Sequence, residues 1–152
     1  MSQIGYYQRK LKEGLEYQDY VCERLYDIGL PVVCYSSQKY QIMKGESLSG
    51  VEIKCDMNYA KTGNLYIETK EKARRHNGRY VSSGIYRSDN TWLYVIGNYE
   101  TIYIFCKAHL RLMKCRYKEI EIKRKTSKGY LLPKRVAERM AIRIVKIRKD
   151  RS

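Results

Sequence analysis

Two copies of Glu-x-Lys stand close together in the stretch GVEIKCDMNYAKTGNLYIETK, residues 50–70: Glu52-Ile53-Lys54 and Glu68-Thr69-Lys70. Paired carboxylates with a lysine alongside can hold a divalent cation and offset negative charge on a bound phosphate. Both copies lie in segments that alternate polar and apolar with period two, so SGVEIKCD and NLYIETKEK each predict a half-buried strand. Thr62-Gly63-Asn64 reads as a turn between them. A hairpin centred near Ala60 sets Glu52 against Glu68, Lys54 against Tyr66 and Asp56 against Asn64. Its other face gathers Val51, Ile53, Cys55, Leu65, Ile67 and Thr69. Directly opposed Cβ atoms lie about 4.5–5.5 Å apart, a distance at which two carboxylates repel. A divalent cation between them removes the conflict. The competing reading of the same residues is a cross-strand ladder of salt bridges on a solvated face, with Asp56 a turn residue.

Those strands need elements to hold them. Residues 8–28 predict a helix, with Leu11, Leu15, Val21, Cys22, Leu25 and Ile28 at helical spacing and Gly29 and Pro31 as the stop. PVVCYSSQKYQI predicts a strand with a polar end, and KARRHNGRY a loop or short helix. NTWLYVIG and TIYIFC predict strands joined by a turn at residues 98–100, with Trp92 in the core. Residues 107–116 predict a helix, and YKEIEIKRKTSKGYLLP a short basic strand and a loop. Residues 133–148 predict a basic amphipathic helix with Val136, Met140, Ile144 and Ile147 on its apolar stripe. The class is mixed, α/β or α+β, in one domain over residues 1–152.

The charge is +15, from 31 Lys/Arg against 16 Asp/Glu. It is unevenly spread: residues 1–106 carry 14 basic and 12 acidic residues, residues 107–152 carry 17 and 4. A cationic region of that kind favours a polyanion, and nucleic acid is the expected partner. The 16 tyrosines suit half-buried sheet surfaces and stacking on bases. Cys22, Cys34, Cys55, Cys106 and Cys115 show no metal-ligand spacing and read as free thiols in a reducing compartment. No apolar run is long enough to span a bilayer and the N-terminus is polar, so a cytoplasmic protein that does not engage membranes is expected.

The order of these motifs resembles the PD-(D/E)XK nuclease superfamily, with its restriction-endonuclease-like core of a central mixed β-sheet flanked by helices. The resemblance covers residues 8–105, and the basic part, residues 107–152, lies beyond it. That family carries a Glu on its first helix, an acid on its second core strand and Glu-x-Lys on the third. Glu16 in KEGLEYQDY, Glu52 in SGVEIK, and Glu68 and Lys70 in YIETK match those places. GVEIKCD, TGNLYIE, SGIYRSDNTWLYVIGN and TSKGYLLP are similar to small phage and mobile-element members. The Pro-Asp doublet is replaced by Val51-Glu52. The motif can also be read one strand early, on Lys54 with Glu46 as leading acid, but too little chain separates Glu46 from Glu52 for a strand and a turn.

The resemblance implies a DNA endonuclease that uses Mg²⁺ or Mn²⁺ held by Glu52 and Glu68, with the Thr69 carbonyl completing the set. Lys70 would orient the metal-activated water, and Glu16 would reach in from the helix. It also implies a homodimer acting on duplex, nicked or branched DNA, in the manner of a Holliday-junction resolvase. Arg74, Arg75, Lys123, Arg124, Lys125 and Lys128 are the expected backbone contacts, and Ser82, Ser83, Arg87 and Ser88 further phosphate donors. The alternative is a non-catalytic DNA-binding module with a nuclease-like fold.

Overall fold

The computed structural model describes residues 3–73, 75–76 and 78–148. Its architecture is mixed α+β, with two four-stranded sheets and helices packed on them. A long helix, α1 (Gln3–Asp27), ends at the Gly29–Pro31 stop. After a short helix, α2 (Gln38–Met43), come β1 (Val51–Cys55), the single turn α3 (Tyr59–Thr62) and β2 (Asn64–Glu71). A two-residue strand, β3 (Val81–Ser82), precedes β4 (Leu93–Gly97) and β5 (Thr101–Cys106). The rest of the chain is α4 (Lys107–Met113), β6 (Ile120–Glu121), β7 (Ser127–Pro133), α5 (Lys134–Met140) and β8 (Arg143–Lys146).

The first sheet runs β1-β4-β5-β8, with β1 parallel to β4 and the other pairs antiparallel. The second, β3-β2-β7-β6, is antiparallel throughout. Every residue of β4 is buried, so both faces of the first sheet must be covered. Leu93, Val95, Ile102 and Ile104 pack with Val51 against Tyr17, Val21 and Leu25 of α1. On the other face Tyr94, Ile96, Tyr103 and Phe105 pack against Leu65, Ile67, Tyr130 and Leu132 of the second sheet.

Several expectations change. β1 and β2 do not form a hairpin; they lie in different sheets. The reason is burial. Val51 faces α1, whereas Leu65 and Ile67 face the opposite side of the first sheet, so no flat hairpin serves both sets. Asp56 fixes the departure as a turn residue. Its Oδ1 accepts the N–H groups of Asn58 and Tyr59, and its Oδ2 accepts Tyr66 N–H at 2.8 Å. The expected strand at residues 31–42 is only an isolated bridge, Cys34 to Ser47, followed by α2.

The expected basic C-terminal helix stops at Met140, and Ala141 is extended (φ −62°, ψ 136°). Ile142 to Ile147 is rich in β-branched residues, and β8 completes the sheet edge along β5. Residues 127–133, expected as a loop, form β7. Trp92 is 57 % exposed instead of core. Leu11 and Leu15 are exposed too, because a 25-residue helix is about 37 Å long and outruns strands of five or six residues. Among the described residues no helix is long and apolar enough to cross a membrane.

Candidate active site

β1 pairs only with β4, so it is an edge strand, and alternation turns Glu52 and Lys54 towards the second sheet. Their register partners Tyr94 and Ile96 belong to the core on that side. Glu52 is 1 % exposed. Its Oε1 lies 3.0 Å from Lys54 Nζ, while its buried Oε2 has no hydrogen-bond partner among the described residues. Burial pushes the Glu52 carboxyl up against the pull of Lys54. Burial alone would lower the Lys54 ammonium, but Glu52, Glu68 and Glu46 together hold it above the usual lysine range. Glu52 thus touches this lysine, whose side chain is 38 % exposed, while Glu68 and Glu46 act on it through their charge alone.

Glu68 comes from β2, in the second sheet. Ser83 Oγ donates to its Oε1 and Ser127 Oγ to its Oε2, both at 2.8 Å. Ser127 Oγ is also 2.8 Å from the Tyr66 hydroxyl. Two glycines let the backbone close around this side chain. Gly84 has φ +51°, and a Cβ there would meet the Glu68 carbonyl oxygen at 2.3 Å. Gly129 lies opposite Glu68 in β7, where a Cβ would meet the Ile67 carbonyl at 2.3 Å. The Thr69 carbonyl accepts Ser83 N–H at 3.0 Å, so Ser83 fixes both ends of the Glu68–Thr69 step.

Behind Glu46 runs a second polar chain. Arg87 Nη1 is 3.3 Å from Glu46 Oε1, and Arg87 Nε is 3.4 Å from Asp89 Oδ2. The Asp89 side chain is fully buried. Its Oδ1 accepts Lys107 Nζ and Thr91 N–H, each at 2.9 Å. Burial would raise the Asp89 carboxyl, but Lys107 and Thr91 outweigh it and hold it below the usual range. Arg87, expected as a phosphate donor, instead braces Glu46 and donates to the Gln41 carbonyl. Sequence reasoning missed Asp89 and Lys107. Their signal was an aspartate beside Arg87 and a lysine directly after the apolar run TIYIFC, where burial obliges a lysine to pair.

The remaining expected residues divide. Glu16 is exposed and sits 3.7 Å from Lys12, away from the carboxylates. Lys70 turns to Glu119 at 3.2 Å, beside a hydrogen bond from Thr69 Oγ1 to the same carboxylate. A bulge between Glu68 and Lys70 separates the two in register. Arg74 lies outside the described residues.

Arg75, Lys123, Arg124, Lys125 and Lys128 gather at one end of the second sheet. Lys72 N–H bonds the Thr126 carbonyl there, joining the β2–β3 loop to the β6–β7 turn. Lys72 and Lys128 lie 4.7 and 4.5 Å from the Tyr80 ring centre, and Arg124 lies 3.5 Å from that of Tyr6. Glu71 marks that end of β2, so Glu68 is about 10 Å away at a rise of about 3.3 Å per residue.

Among the described residues no group of three or more His, Cys, Asp or Glu forms a metal cage. Two carboxylates still suit Mg²⁺, which keeps waters and takes its other oxygens from substrate phosphate. The unpartnered Glu52 Oε2 is the atom such an ion would satisfy. No protein-family model, curated protein or solved structure matches this chain.

Proposed function

We propose that the protein is a metal-dependent DNA endonuclease. The observation that supports this most is the buried Glu52 carboxylate beside Lys54, one of its oxygens without a partner among the described residues, with the charges of Glu68 and Glu46 acting on the same lysine. Burying a carboxylate without full hydrogen bonding costs stability, and a folded chain that keeps one there gains something other than stability. Mg²⁺ or Mn²⁺, when bound, would supply Lewis-acid polarisation of the scissile phosphate and a water of lowered pKa. Glu52 and Glu68 would hold the ion. Ser83 and Ser127 keep both Glu68 oxygens in place, and Asp56 holds the two strands at a set separation. Lys54 supplies positive charge where it would build up on the phosphate. The basic end around Tyr80 holds the DNA backbone. Duplex cutting needs two sites, and the exposed Tyr7, Leu11 and Leu15 on α1 give a second copy an apolar face to pack on.

One observation favours the binding-module alternative: Glu52 and Lys54 already form a closed pair at 3.0 Å. The two readings separate on supercoiled plasmid with Mg²⁺ or Mn²⁺, with a chelator as control. The nuclease reading expects nicking. It also expects Lys54→Ala to lower turnover a hundredfold or more, about 3 kcal/mol on the barrier, with DNA affinity retained. Lys70→Ala should cost far less, because Lys70 answers to Glu119. Absence of nicking with either metal would leave the binding module standing. A dead Lys70→Ala beside an active Lys54→Ala would return the site to the second Glu-x-Lys.

A further inference from the structure

A pair of cysteines lies where α1 meets the segment that precedes β1. Cys22 and Gln18 are four residues apart on α1 and therefore share one helix face. Against that face sits Cys34, whose Sγ accepts Gln18 Nε2–H at 2.7 Å. Cys22, one turn from Gln18 on that face, therefore neighbours Cys34, and the charge state of each thiol depends on the other. Both are partly exposed, and a cleft lined by Cys22, Glu23, Asp27, Pro31 and Val32 opens to solvent beside the first. Neither thiol contributes to the packing clusters of the core.

We propose that Cys34 and Cys22 form a peroxide-sensitive dithiol, with Cys34 the attacking sulfur and Cys22 the resolving one. The Cys34 thiolate is favoured by donation from Cys22, against the cost of burial, and by donation from Gln18; the carboxylates of Glu46 and Asp19 oppose it. The Cys22 thiol is held protonated by the same contact. Hydrogen peroxide supplies the oxidising equivalents. The Cys34 thiolate attacks one peroxide oxygen, the O–O bond breaks, and hydroxide leaves and is protonated to water. The Cys22 sulfur then displaces water from the resulting sulfenic acid, closing the disulfide. Two thiols are oxidised and one peroxide becomes two waters.

The bond would tie α1 to the segment that carries Glu46. Cys34 bridges Ser47, and Ser47 Oγ bonds both the N–H and the carbonyl of Val51 at the start of β1. The site is independent of any cleavage activity, so it is tested without DNA. The reduced full-length chain is exposed to a small molar excess of hydrogen peroxide, then denatured and its thiols counted and mapped. The five thiols should fall to three, with one peptide joining Cys22 to Cys34, and a reductant should restore all five. In Cys22→Ser a sulfenic acid should be trapped on Cys34 by a dione reagent. Cys34→Ser should keep its four thiols under the same dose. Five thiols after treatment of the wild-type chain overturn the proposal. So does a disulfide that involves Cys55, Cys106 or Cys115, or one that joins two chains.

Discussion

Glu52 shows how one side chain can be expensive for the fold. Its carboxyl is buried and raised, with one oxygen satisfied by Lys54 and the other without a partner among the described residues. A carboxyl raised on folding means that the native state binds the proton more tightly than the unfolded chain does. Its burden is therefore absent below the ordinary glutamate pKa near 4.3 and grows as pH rises from there towards the raised folded value. Glu52→Gln should relieve that burden, stabilising the protein at neutral pH by about 1 kcal/mol, roughly 2–4 °C for a chain of this length. The same change should remove cleavage. Melting curves of both proteins at pH 4 and pH 8 check this, because the gap should be present at pH 8 and close at pH 4. A melting temperature lowered at pH 8 would make Glu52 a structural partner of Lys54 instead.

At the scale of elements, the site depends on how β1 and β2 separate and then face each other. Asp56 accepts three backbone N–H groups and is the polar link from the end of β1 to β2. Asp56→Ala would leave Tyr59 N–H buried without its side-chain acceptor, at a cost of about 2–3 kcal/mol, visible as a lower denaturant midpoint. Asp56→Asn keeps an acceptor oxygen and should recover part of that loss. The Glu68 clamp is built differently, from a 3₁₀ turn at Gly84–Tyr86 pressed on β2 and from Ser127 of β7. Periodicity identified β1, β2, β4 and β5 as strands because each has a face or a run that must be buried. It misplaced residues 31–42 and 141–148, where short apolar runs fit helix and strand equally. Residues 143–146 became a strand by pairing with the edge of β5, whereas residues 31–42 found only the Cys34–Ser47 bridge before α2.

For the whole molecule, the charge asymmetry seen along the chain becomes a basic end of the second sheet, at the β6–β7 turn. Not all of the basic third is free surface. Lys107 is buried against Asp89, and Lys114 and Lys134 pair with Glu119 and Glu138. Lys123, Arg124 and Lys125 are exposed at the β6–β7 turn. Neutralising those three together should reduce the slope of log K for DNA against log salt by about two to three, at roughly 0.9 per phosphate contact. Titrations at several salt concentrations read this directly. An unchanged slope would move the binding face elsewhere on the molecule.

By itself the sequence determined the alternating strands, the helical start, the chemical types in the two Glu-x-Lys copies and the concentration of positive charge after residue 106. These are local properties, carried by periodicity and composition. The tertiary structure decided which strand pairs with which, and through that which lysine stands among the carboxylates. Glu52 and Glu68 carry the same motif, and no local rule ranks Lys54 above Lys70. The ranking comes from burial. β4, enclosed on both faces, takes β1 as its parallel neighbour, and β2 must turn Leu65 and Ile67 onto the far face of that same sheet. Lys54 is thereby left paired with buried Glu52, and Lys70 is carried past the bulge to Glu119.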